Sequence, residues 1–150
     1  MSRYAAAHAS RNGPGDARPT ALQIVEDEGL TGKLTDKVFL ITGVSSGIGI
    51  ETLRAMYATG AHVIGTVRNL EKGKAVVQEI ERDTPSEGKI TLVLMDNESL
   101  ESVRKAAAEI KQLTDKLNVA IFNAGYVKPP STFPRKKPIR NIPSNSELPA

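Results

Sequence analysis

The stretch "KVFLITGVSSGIGIETLRAMYATG", Lys37–Gly60, decides the fold. Lys37–Thr42 is a short, continuous apolar run rich in β-branched and aromatic side chains, and it reads as a buried strand. "GVSSGIG" is a turn of glycine and serine. "IETLRAMYAT" reads as a helix, with Leu53, Met56 and Tyr57 at helical spacing and Gly60 placed as its C′ glycine. Strand, glycine turn and helix in that order aim the helix's unpaired N–H groups and its positive dipole end at the turn. Such a turn suits an anion. Side chains at Gly43, Gly47 or Gly49 would obstruct a pyrophosphate, Ser45 and Ser46 can add hydroxyl donors, and the helix opens near Ile48. A G-x-x-x-x-G-K-[S/T] phosphate loop is excluded, because Ile48 stands five residues after Gly43 and no Gly-Lys pair follows. Taken alone, the turn would serve equally as a tight connection without a ligand.

The same alternation continues outward. "AHVIGTVR" (Ala61–Arg68), "KITLVLM" (Lys89–Met95) and "NVAIFN" read as further strands. Between them, "LEKGKAVVQEIERDT" presents Val76, Val77 and Ile80 on one side. A helix over Ser99–Leu117, capped by Asn97 or Ser99, repeats Leu100, Val103, Ala107, Ile110, Leu113 and Leu117 with a 3.6 period. The order β-α-β-α-β-α-β, with near-continuous apolar strands, predicts an α/β fold: a Rossmann-type doubly wound parallel sheet covered on both faces. Only the N-terminal nucleotide-binding half, about four strands, is expected. Residues 1–35 are expected as an extended lead with a short helix near Thr20–Glu28, residues 36–127 as the half-domain, and 128–150 as a tail.

Composition narrows the function classes. The chain has 150 residues, no cysteine and two histidines, His8 and His62, far apart in sequence. Disulfides and thiolate metal sites are impossible, and a metal centre is not expected. No apolar run of membrane-spanning length and no secretory leader is found, so a cytoplasmic protein without membrane contact is expected. The net charge of +3 is uneven: residues 1–37 are neutral, 38–127 carry −1 and 128–150 carry +4. The body therefore gives no reason to expect a nucleic-acid surface.

"TGVSSGIG", "FNAG" (Phe122–Gly125) at the end of the fourth strand and Asp96 after the third stand in register over Thr42–Gly125. Together they resemble the short-chain dehydrogenase/reductase family. The approach "GKLTDKVFLITG" further resembles its retinol-dehydrogenase-like and fungal secondary-metabolism members. The resemblance implies a nicotinamide cofactor, with the pyrophosphate at Gly43, Ser45, Ser46, Gly47, Ile48 and Gly49, adenine near Asp96, and the nicotinamide ribose by Asn123, Ala124 and Gly125. Asp96 also admits the simpler reading of an acid at a helix start. Phe122 stands where the family commonly has a first asparagine.

A free ribose 2′-OH calls for a carboxylate at the end of the second strand. That strand ends in Arg68, and no acid comes until Glu71. A guanidinium suits a 2′-phosphate, so NADP is favoured over NAD, with Lys72 a secondary candidate. A solvated Arg/Lys pair is the plainer alternative, stronger for Lys72.

The family's proton donor is a tyrosine with a lysine four residues later; a phenol of pKa near 10 needs such a cation to work at neutral pH. Here Tyr4, Tyr57 and Tyr126 are followed at that spacing by His8, Ala61 and Pro130. No catalytic residues are assigned, and the chain is expected to be a C-terminally truncated member without turnover. Beyond about Tyr126 the sequence changes: six of nine prolines lie in 129–150, which is expected to be disordered. A change of coding origin, such as a shifted frame, retained intron or early stop, would produce that boundary. A genuine flexible tail, with "PRKKP" (Pro134–Pro138) touching an acidic partner, is the alternative. With no fifth strand, "NVAIFN" would be an open edge inviting self-association. The rival functions are a non-catalytic NADP(H)-binding module and a non-functional remnant.

Overall fold

The computed structural model of the chain describes residues 3–9 and 11–125. The expected strands pair into one parallel sheet of order β3-β2-β1-β4. β1 (Val38–Thr42) lies between β2 (His62–Val67) and β4 (Val119–Ile121), and β3 (Lys89–Leu94) pairs beyond β2. The register runs from Val38↔His62 to Thr42↔Thr66 on one side of β1 and from Phe39↔Val119 to Ile41↔Ile121 on the other.

Three helices make the crossovers: α3 (Ile48–Ala58), α4 (Leu70–Asp83) and α5 (Leu100–Leu113). Strand alternation sends odd-numbered β1 side chains to one face and even-numbered ones to the other. Phe39, Ile41, Val63 and Val67 meet Leu53 and Tyr57 of α3 and Ile80 of α4. Val38, Ile64 and Val93 meet Ala106 of α5 on the opposite face. The sheet is thus doubly wound, but unevenly. Leu53 and Ile80 are wholly buried, and each such side chain stabilises the fold by about 1.5–3 kcal/mol. Ala106 is the only residue of α5 that is fully buried.

In the lead, the short helix expected near Thr20–Glu28 is present, and a further helix that was not expected stands before it. α1 (Ala5–Ala9) precedes α2 (Ala21–Asp27). Thr20 and Gln23 close a capping box, each side chain accepting the other's backbone N–H, at 3.2 and 3.0 Å. Val25 then packs on Ala55 and Ala58 of α3. That burial is why the lead folds back. Tyr4 and Arg3 reach Asp27 from α1's side, the hydroxyl donating to its carboxylate at 2.9 Å.

Two ends also differ from expectation. The third crossover helix stops at Leu113 rather than Leu117, because Thr114 turns extended and its hydroxyl accepts the Lys116 N–H at 3.2 Å. β4 keeps only the centre of "NVAIFN". Asn118 replaces one rung with a clasp: its side-chain oxygen accepts the Val38 N–H at 2.8 Å, while its own N–H donates to the Val38 carbonyl.

His62 sits on the α5 face, its Nε2 2.9 Å from Thr91 Oγ1. Burial, then the Lys89 ammonium, hold its imidazole below the ordinary pKa, so it packs as a neutral ring. The β4 side is open. Val119 is 43% and Phe122 80% exposed, and an apolar cavity of about 350 Å³ lies between α5 and β1, walled by Leu40, Val103, Ala107 and Ile110. No described helix is long and apolar enough to cross a membrane. The disorder expected for residues 128–150 lies outside the described residues, as does Tyr126.

Candidate functional site

The helix caps single out one place. Asn69 and Ser99 cap α4 and α5 through side-chain oxygens, at 2.9 and 3.2 Å, and Thr20 caps α2. α3 begins at Gly47 with no side-chain cap. Its first N–H groups therefore keep capacity for a ligand, at the end where the dipole favours negative charge.

A cavity of about 680 Å³ opens at this point, along the C-terminal ends of the strands. That volume suits a cofactor. Gly43, Ser45, Ser46, Ile48 and Gly49 form one wall. Arg68 stands at the end of β2, and Asp96 after β3. Asn123, Ala124 and Gly125 come from the end of β4. Residues placed by sequence on four separate segments are thus brought together. Gly47 and Lys72 are not on the wall. Lys72 instead gives its backbone N–H to the Asn69 cap, at 2.9 Å.

Two of the glycines are also required by the protein's own packing and conformation. A Cβ on Gly49 would stand 2.1 Å from the Gly43 carbonyl oxygen and 2.8 Å from Asn123 Nδ2. Gly49 is buried, and its bare Cα lets α3 press on the turn itself. Gly47, with φ 57° and ψ −139°, has open space around it and is required by conformation instead.

Asn123 fastens the turn to β4. Its Nδ2 donates to the Thr42 and Gly43 carbonyls at 3.1 and 3.2 Å, and the Ala124 N–H donates to Thr42 Oγ1 at 3.0 Å. The amide therefore faces the turn's backbone. Phe122 is exposed, pointing away from this network.

Arg68 is exposed and makes no hydrogen bond or ion pair among the described residues. A guanidinium held at a cavity mouth without a partner is available to an anionic group. Thr66, Val67, Met95, Asn97 and Glu98 also line the cavity and carried no sequence signal beyond their place at strand ends.

The sequence matches the family described as short chain dehydrogenase over residues 37–144, past the compositional change near Tyr126. It is 49% identical over 125 residues to the short-chain dehydrogenase/reductase prx1 of Penicillium rubens, covering 83% of this chain and 36% of that protein. The oxidoreductase calI of Penicillium decumbens is 42% identical over 133 residues, 87% of this chain and 38% of its own. The chain thus spans little more than a third of the length of these relatives. Among solved structures, a metagenomic short-chain oxidoreductase in complex with NADP superposes with a TM-score of 0.54 and 29% identity, over 60% of this chain and 39% of that one.

Proposed function

Because the chain belongs to the short-chain dehydrogenase family, we propose that it carries the NADP-binding half of an oxidoreductase acting on a carbonyl or an alcohol. The uncapped start of α3, lining one cavity with an Arg68 that has no partner among the described residues, is the observation that carries this reading. The pyrophosphate would lie against the N–H groups at Ile48 and Gly49 with Ser45 and Ser46 beside it. Gly43 and Gly47 shape that turn. Arg68 would take the 2′-phosphate, with Lys72 contributing long-range charge only. Asp96 would meet the adenine, and Ala124 and Gly125 the nicotinamide ribose, on a backbone that Asn123 fixes. When bound, the cofactor gives or takes a hydride; these residues bind and orient it.

Turnover needs a proton relay as well. The sequence has no tyrosine followed four residues later by lysine. We therefore assign cofactor binding to these 150 residues, and a cytoplasmic setting on their cysteine-free composition.

The test is a titration of the chain with NADPH and, separately, NADH. The protein has no tryptophan, so the signal is the nicotinamide's own fluorescence. Saturation by NADPH with NADH at least tenfold weaker is the expected result, corresponding to about 1.4 kcal/mol. Saturation with no carbonyl reduction would favour the binding-module form of the reading. No saturation with either dinucleotide would leave a remnant that should not carry the family's activity.

The open β4 side supports a second expectation, self-association through the edge strand. Among the described residues β4 pairs on one side only, and Leu117 and Val119 are 45% and 43% exposed. Sedimentation velocity across a hundredfold concentration range should show the average mass rising. A monomer throughout would refute it.

A further inference from the structure

The turn between β3 and α5 holds Asp96 by three of its four polar positions. Its N–H donates to Ser102 Oγ at 2.9 Å. Its carbonyl accepts the Ser99 N–H at 3.1 Å. Its Oδ1 accepts the Glu98 N–H at 3.0 Å. Only Oδ2 accepts no hydrogen bond among the described residues, and Asp96 lies half-buried on the wall of the large cavity.

Ser102 occupies the third position of α5, where a Glu or Gln usually reaches back to the N-cap N–H. Here the N–H of Ser102 is taken by the Ser99 hydroxyl at 3.2 Å, and its own hydroxyl reaches past the cap to Asp96. A serine side chain is short, so this bond fixes the last residue of the strand exit relative to the helix axis. With the backbone fixed and Oδ1 engaged, the carboxylate's freedom is reduced, and Oδ2 is the acceptor left over on a residue of the cavity wall.

We propose that Ser102 is a positioning residue for base selection: it locks Asp96 so that one carboxylate oxygen is offered as a pure acceptor, which selects a 6-amino purine over a 6-oxo purine. The proposal rests on the dinucleotide reading of the cavity. A 6-amino group donates to that oxygen. A 6-oxo group presents another acceptor and would leave the carboxylate facing a like dipole. Discrimination of this kind is large when a fixed polar group is left unpaired.

The test uses the full chain, with Ser102→Ala and Ser102→Thr. Two quantities are read: hydrogen exchange at the Asp96 amide in the free protein, and the affinity ratio of NADPH to its hypoxanthine analogue. The wild-type chain should show a slow Asp96 amide and a ratio of about ten. In Ser102→Ala the amide should exchange at least ten times faster and the ratio should fall toward one, chiefly through loss of NADPH affinity. Ser102→Thr, which keeps the hydroxyl, should restore both. Unchanged exchange and ratio in Ser102→Ala would overturn the proposal. So would equal weakening of both dinucleotides with a lowered melting temperature, which marks a merely structural serine. If the wild type binds neither dinucleotide, base selection falls together with the cofactor reading. A slow Asp96 amide lost in Ser102→Ala would then still show the lock, so the two failures are told apart.

Discussion

Gly49→Ala should lower the melting temperature by about 10 °C or more and abolish detectable NADPH binding. Replacing glycine by alanine inside a helix ordinarily stabilises it by about 0.5–1 kcal/mol. Gly49 reverses the sign. The added methyl would lie 2.1 Å from the Gly43 carbonyl oxygen, which is backbone and cannot swing aside. Either α3 lifts from the sheet or the turn shifts, and a shift breaks the Asn123 bonds to Thr42 and Gly43. Overpacking of this order costs about 1–3 kcal/mol, and the lost hydrogen bonds add to it. For a domain of this size each kcal/mol moves the midpoint by about 4–8 °C. Gly47→Ala supplies the contrast. No atom lies within 4 Å of its would-be Cβ, so its cost is conformational, about 1–3 kcal/mol for a residue held at φ 57°. Thermal melts of both variants check the ranking. Greater damage at Gly47 than at Gly49 would refute the packing account of the turn.

Arg68→Asp should reverse the cofactor preference. Removing a guanidinium from a doubly charged phosphate loses a charge-assisted hydrogen bond worth about 1.5–3 kcal/mol, or roughly 10–100-fold in affinity. The new carboxylate also repels that phosphate while accepting from a free ribose 2′-OH. NADPH should therefore weaken by about 100-fold and NADH bind more tightly than in the wild type. Lys72→Ala is the internal control. Its side chain is not on the cavity wall, so its effect should stay below about threefold and shrink with salt. Paired titrations of the two variants with both dinucleotides decide the matter. Equal loss of NADPH and NADH in Arg68→Asp would mean that Arg68 does not read the 2′-phosphate.

The strands were legible because a parallel sheet covered on both faces needs unbroken apolar runs, and Val38–Thr42, His62–Val67 and Lys89–Leu94 are such runs. The cavity wall was legible where chemistry restricts residue type, at the glycine turn, Arg68, Asp96 and Asn123. What stayed hidden was relational. Nothing in the letters says that Gly49 is pressed on Gly43, 2.1 Å from a would-be Cβ, since that contact is set by how the turn folds back onto the start of α3. The packing of the lead was not legible because it rests on Val25 and Leu22 meeting two alanines that look unremarkable on α3, and on backbone bonds from Gly32 and Leu34 to Ala58 and Thr59. The end of α5 was overextended because Leu117 keeps the helical period although Thr114 has already left the helix.

The asparagine clasps at the two ends of β4 have a consequence in time. Asn118 and Asn123 bond to residues that lie 80 positions or more earlier, and the ladder between them is three residues long. During synthesis the first three strands and their helices can assemble while β4 is still unmade. The cavity then gains its β4 wall only when Asn123 has left the ribosome and found the turn. With β1–β3 assembled, the segment from Leu94 to Val119 must still be ordered, and a three-residue ladder repays that cost only in part. A dinucleotide that touches this wall would add its binding energy to the docking of β4 on β1.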